Sequence, residues 1–203
     1  MKSLSNVGAE RLGDALGESI DDGAKLSIIS SYFTVFAYGE LKEELSKVDE
    51  VRFLFSEPTF IKRMADSKEP REFEVARRAR EVGVGGSGLE LTLRNNLNQR
   101  ALARECAEWI REKGVFKSAK TSGAIQPGGT YVVENPSGDD HAFMGAAANF
   151  TQEGLGYERR PGTVTCVSHF ENATEAVGLK SYHDVRVVSC QDTDITPTGL
   201  GAY

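Results

Sequence analysis

With 203 residues, 39% of them hydrophobic and 27% charged, the chain has an ordinary globular composition and enough length for one domain, taken here as residues 1–203. No apolar run approaches the ~18 residues of a membrane span, and the opening MKSLSNVG lacks the apolar segment of a secretory signal, so a cytoplasmic location is expected. A net charge of −6 excludes a protein that coats nucleic acid by bulk attraction, and three widely spaced cysteines, Cys106, Cys166 and Cys190, exclude a disulfide framework or a close-spaced zinc motif.

Residues 7–20 place Leu12, Leu16 and Ile20 at four-residue steps, the stripe of an amphipathic helix. Lys25 to Phe33 (KLSIISSYF) reads as a buried strand, Val35 to Lys47 as a second helix, and Val51 to Phe55 as the next strand. Together they form a β-α-β unit of the kind that builds parallel sheets covered by helices. Further on, the pattern predicts a charged solvated stretch from Asp66 to Arg71, a helix over residues 71–82, a strand-like segment Leu89 to Thr92, and a helix from Leu97 to Lys113. Strands follow at Val115 to Lys117, Thr130 to Glu134, Ala142 to Ala148, Thr163 to Phe170 and Asp184 to Ser189, bounded by turn residues. There is no internal repeat of useful length, and after Asp194 the composition turns to Thr, Pro and Gly, as in a frayed terminus or an excised piece.

Several motif-like stretches fail on context. Gly83 to Gly88 fits a GxGxxG pattern, but a predicted helix precedes it and a strand follows, the reverse of what a dinucleotide loop needs, so it is read as a flexible linker. Gly85 to Leu89 lacks one glycine of a hydrolase elbow, and in Gly8 to Gly13 Asp14 stands where a P-loop requires lysine. His141, His169 and His183 lie apart in sequence, and no metal binding is expected of them.

Asn135 to Asp139 is a strong turn signal joining two strands as an antiparallel hairpin. A hairpin centred on Gly138 sets Pro127 opposite Asn149 and Gly129 opposite Ala147. The segment Gln126-Pro127-Gly128-Gly129 and the segment Ala146 to Thr151 then frame one small space.

Gly128 to Asn135 (GGTYVVEN) and Met144 to Leu155 (MGAAANFTQEGL) resemble the paired motif strands of the phospholipase D superfamily, His-x-Lys on one and Gly-Ser-x-Asn on the next. Ser27 to Phe55 and Leu97 to Arg111 are similar to the phospholipase D-like domain at the front of bacterial helicase and restriction-type proteins, and the resemblance covers most of residues 5–160. It implies an α/β fold with a mixed, largely parallel sheet flanked by helices on both faces. It also implies a nuclease or DNA-handling role beside an ATP-driven motor, homodimers that join two half-sites, and no cofactor.

In that family the histidine attacks phosphorus while the lysine and asparagine hold phosphate oxygens. Here Pro127 stands at the histidine position, Gly129 at the lysine and Ala147 at the serine, and only Asn149 is retained, so the family's chemistry cannot run as usual. Glu134 matches an acidic position of the pattern; Glu134, Glu153 and Asn149 are the remnant-site residues, with Tyr32 a further neighbour. Gly128, Gly129, Asn149 and Thr151 are the candidate phosphate binders, since glycine-rich bends can cradle an oxyanion with backbone N–H groups.

His141 cannot replace the nucleophile, because the eight residues to Asn149 span about 26 Å of strand. Three expectations follow. The first is an inactive nuclease-type domain that binds nucleic-acid phosphodiesters. The second is a phosphodiesterase completed across a homodimer, with His169 and Lys117 as the candidate groups. The third is a non-catalytic module that recruits a partner such as a helicase motor.

Overall fold

The computed structural model describes residues 1–56, 88–119, 125, 128–159, 165–171, 178, 179, 181 and 190–192, with the backbone alone for 88–98 and 190–192. The predicted helix over 71–82, the charged stretch before it, the glycine linker up to residue 87, Gln126, Pro127, His183 and the predicted strand 184–189 lie outside these residues.

Among the described residues, eight strands form one sheet in the order β1-β7-β6-β5-β2-β3-β4-β8. They are β1 (Lys2–Leu4), β2 (Lys25–Ser30), β3 (Glu50–Phe55), β4 (Gly114–Ala119), β5 (Gly129–Glu134), β6 (His141–Gly145), β7 (Val167–Phe170) and β8 (Cys190–Asp192). Among the described residues the named helices are α1 (Leu12–Glu18), α2 (Val35–Lys47) and α3 (Gly88–Lys113), with Gly178, Leu179 and Ser181 also helical. The expected mixed α/β sheet is present, but less of it is parallel than expected: β2-β3 and β3-β4 are parallel, and the other five junctions are antiparallel. The cause is connection length, since the short turn between β5 and β6 can only reverse the chain, whereas β2 to β3 has room for a crossover helix.

Leu12, Leu16, Leu41, Leu45, Trp109 and Ile110 of the three helices pack on one face of the sheet against Ile28, Phe53, Phe116, Tyr131 and Phe143. On the opposite face the helical residue Leu179 packs on Val132 and Ala142. α2 keeps its predicted bounds because both ends are satisfied. The Thr34 hydroxyl accepts from the Ala37 N–H at 3.2 Å, and Lys113 donates to the carbonyls of Ser46 and Val48 at 2.7 and 2.6 Å.

α1 is shorter than its apolar stripe, beginning at Leu12. Residues 5–10 spend their polar groups locally, with Ser5 bonded to the Glu10 carboxylate, and Asn6 at φ 53° accepts from the Leu12 N–H at 2.8 Å. α3 is longer than predicted and includes Leu89 to Thr92, which is helical and not strand-like. Leu89, Leu93 and Leu97 step by four, a helical period that outweighs the short alternation of LELT. A helix therefore follows Gly88, contrary to the order assumed when the GxGxxG pattern was set aside.

The β5-β6 hairpin pairs Gly129 with Gly145 and Val133 with His141, so it is centred on Ser137 and not Gly138. The turn is set by the Gly138 N–H bonding the Asn135 carbonyl at 2.9 Å, with Gly138 at φ 82°. The register is thus displaced by two residues from the expected one, and a two-residue shift leaves each side chain on its expected face. β6 also ends at Gly145 and not Ala148, because the Ala148 N–H turns back to the Gly145 carbonyl at 3.2 Å.

β1, absent from the sequence-based expectations, pairs antiparallel with β7 and sets Lys2 beside His169. His169 is buried at 7% exposure and lies flat on Phe143, ring centroids 4.2 Å apart. Burial lowers its pKa from 6.5, with His141, Lys2 and the N-terminal amine acting the same way and Glu171 opposing them. A folded pKa below the unfolded one contributes stability that is present above pH ~6.5 and lost as pH falls through the lowered value. The urea midpoint is expected to be lower at about pH 5 than at about pH 7.5, with the difference reduced in His169→Asn.

Candidate functional site

The parallel strands β2 and β3 end in serines, Ser30 and Ser31 after the isoleucines and Ser56 after Phe55. β2 has a parallel neighbour on one side and the antiparallel β5 on the other. Ser30 and Ser56 are fully buried, and the hydroxyls of Ser31 and Ser56 are 2.6 Å apart.

The stretch from Ala148 to Phe150 packs against these strand ends. Phe150 is fully buried; its ring stacks on Phe33 at 5.1 Å and meets Phe53 edge-on at 6.0 Å. Its carbonyl accepts from the Thr34 N–H at 3.1 Å, and its N–H donates to the Ser30 hydroxyl at 3.0 Å. With Phe150 anchored, the preceding carboxamide has one orientation: Asn149 Oδ1 accepts from the Ser31 N–H at 3.0 Å and from Ser30 Oγ at 3.1 Å. A backbone N–H can only donate, so the atom facing Ser31 must be the oxygen. Asn149 is half-buried, and its Nδ2 group makes no hydrogen bond among the described residues.

Gly128 and Gly129 border the same region. Gly128 has φ 141°, and a Cβ there would lie 3.1 Å from the Gly145 carbonyl oxygen. At Gly129 the Cβ direction is filled by the carbonyl of Ala148. That carbonyl is fixed by the Tyr131 hydroxyl, which donates to it at 2.7 Å from a fully buried ring. Thr151 is close in sequence to Asn149, but its hydroxyl accepts from the Gly154 N–H at 2.9 Å and so closes the loop.

The other expected site residues are dispersed. Glu134 lies at the far end of β5 and pairs with Arg52 at 2.8 Å. Glu153 lines a cleft of about 200 Å3 together with Asn6, Arg11, Tyr157 and Arg159. Tyr32, 64% exposed, follows Ser31. His169 and Lys117 sit on β7 and β4 with four strands between them, roughly 24 Å at the usual strand spacing, so they cannot meet within one chain. The sequence reading missed Ser30, Ser31 and Tyr131; two serines directly after an Ile-rich buried run were the available signal.

Neither any family model nor any curated protein matches the sequence. Among solved structures, the chain is similar to Nuc from Salmonella typhimurium, a phospholipase D family member, at 13% identity and a TM-score of 0.44 over 89% of each chain. A TM-score below 0.5 leaves the functional argument resting on this chain's own residues.

Proposed function

We propose that this chain is a phospholipase D-like domain of nuclease ancestry that has lost its catalytic His and Lys and binds nucleic-acid phosphodiesters beside Asn149. The carrying observation is the orientation of that carboxamide: its oxygen is committed to Ser30 and Ser31, which leaves the Nδ2 donor for an anionic oxygen. Gly128 and Gly129 border the same corner with backbone N–H groups as further donors, their Cβ directions being taken by the chain at Gly145–Ala148, while Thr151 shapes the loop. In this reading residues 1–203 act as one domain, work in the cytoplasm as a homodimer, and serve a helicase or restriction-type partner without a cofactor.

The test is Asn149→Asp. A carboxylate keeps an acceptor for Ser30 and Ser31 but puts negative charge where the amide donated, so the fold should survive and the anion should be repelled. Fluorescence anisotropy with labelled DNA and RNA oligonucleotides is expected to show binding at about 50 mM salt that weakens steeply by about 200 mM. Asn149→Asp is expected to reduce it at least about tenfold, the effect of losing one charge-assisted bond and adding repulsion. Binding by the native chain that is indifferent to this substitution, or no binding at low salt, refutes the reading. Hydrolysis of bis-p-nitrophenyl phosphate that is lost in His169→Ala would instead favour a site assembled from two chains.

A further inference from the structure

His141 and His169 are 28 residues apart in sequence, yet the β6-β7 pairing brings His141 Nδ1 to 3.3 Å from His169 Nε2. Their outer nitrogens face carboxylates: His141 Nε2 is 3.5 Å from Asp139 Oδ2, and His169 Nδ1 is 3.7 Å from Glu171 Oε1. The two inner nitrogens lie at hydrogen-bond distance, one donating to the other when a proton lies between them; without that proton both present lone pairs to the same space. Two lone pairs at that distance repel unless a cation lies between them.

From this geometry we infer that His141 Nδ1 and His169 Nε2 form a binding site for a divalent transition-metal ion of the zinc class. Nitrogens 3.3 Å apart subtend about 107° at an ion 2.05 Å from each, close to the tetrahedral angle zinc prefers. A carboxylate stands within 4 Å of the outer nitrogen of each imidazole, near enough to become the hydrogen-bonded support that metal-bound histidines use. Asp139 and Glu171 also contribute negative charge against the opposing Lys2 and N-terminal amine.

Among the described residues no third histidine, cysteine or carboxylate closes round the pair, so solvent completes the coordination and the affinity is moderate. The site belongs to the turn end of β6, whereas Asn149 follows its other end, so it is independent of the phosphodiester reading. Sequence spacing gave no sign of it because cross-strand proximity has no fixed spacing.

The experiment is calorimetric titration of the full chain with zinc chloride, with magnesium chloride as control, in native protein, His141→Asn and His169→Asn. One zinc per chain in the micromolar range is expected, with no magnesium binding. Each substitution should weaken zinc binding at least about tenfold. Cobalt substitution should give visible absorption of tetrahedral intensity that both substitutions remove. His141 is the more exposed of the pair at 16%, so His141→Asn carries the test if His169→Asn does not fold. Zinc binding that is absent below millimolar concentration, or unchanged in the folded variants, overturns the inference and leaves a pair sharing one proton.

Discussion

Gly129→Ala is expected to destabilise the protein by about 4 kcal/mol, the range reserved for substitutions with a specific structural cause. The added methyl would fall on the Ala148 carbonyl, a backbone group that cannot rotate aside. Ala148 itself is held by its turn bond to Gly145 and by the Tyr131 hydroxyl, so moving it breaks a buried bond as well. Overpacking against flexible side chains usually costs about 1–3 kcal/mol, and a fixed backbone belongs above that range. Urea denaturation followed by circular dichroism measures the loss. Gly138→Ala is the comparison: nothing lies within 4 Å of its Cβ, and its φ of 82° gives only the milder cost of left-handed backbone.

The consequence for function concerns repair. Gly129 stands at the position the resemblance assigns to a lysine, and a lysine there would begin with the same forbidden Cβ. Gly129→Lys is therefore expected to unfold the site without producing hydrolysis of bis-p-nitrophenyl phosphate, alone or with Pro127→His. A Gly129→Ala protein of native stability would show that Ala148 does not occupy that space, and hydrolysis gained by the lysine variant would show that the position still admits the lysine.

The sequence made the β2-α2-β3 unit legible because every cue there is local: an Ile-rich strand, a threonine cap, and an apolar stripe at helical spacing. Asn149 was legible because it ends a short apolar run beside small residues. What holds it was not, since Ser30 and Ser31 are more than a hundred residues away and their role depends on β5 pairing with β2. The hairpin register failed by two residues because the Asn135–Gly138 turn bond, and not the glycine's position alone, sets the centre. Likewise α3 begins at Gly88 because its four-residue leucine steps continue back through a segment short enough to pass for a strand. The histidine pair was invisible for the same reason as the serines: nothing in the spacing of His141 and His169 reports that their strands are neighbours.

Ser30→Ala is expected to cost about 2–3 kcal/mol, more than a typical hydroxyl deletion, because one buried oxygen serves several partners. A serine has a single proton to donate and two lone pairs to accept with. Here the acceptor side takes the N–H groups of Phe150 at 3.0 Å and Tyr32 at 3.3 Å, while the proton is shared between the Tyr32 carbonyl at 2.7 Å and Asn149 Oδ1 at 3.1 Å. Alanine leaves the buried Phe150 N–H without its acceptor, which Asn149→Ala does not. Asn149→Ala alone should cost about 1–2 kcal/mol, mainly through the orphaned Ser31 N–H.

Because the two residues share a bond, the double variant should lose less than the sum, with a coupling of at least about 0.5 kcal/mol. Strict additivity in denaturation midpoints would mean that Ser30 does not position the carboxamide. Ser30→Ala should also weaken oligonucleotide binding while Ser30→Thr, which restores the hydroxyl, recovers it. Loss of stability without loss of binding would separate the serine's role in anchoring Phe150 from any role in aiming Nδ2 at a phosphate.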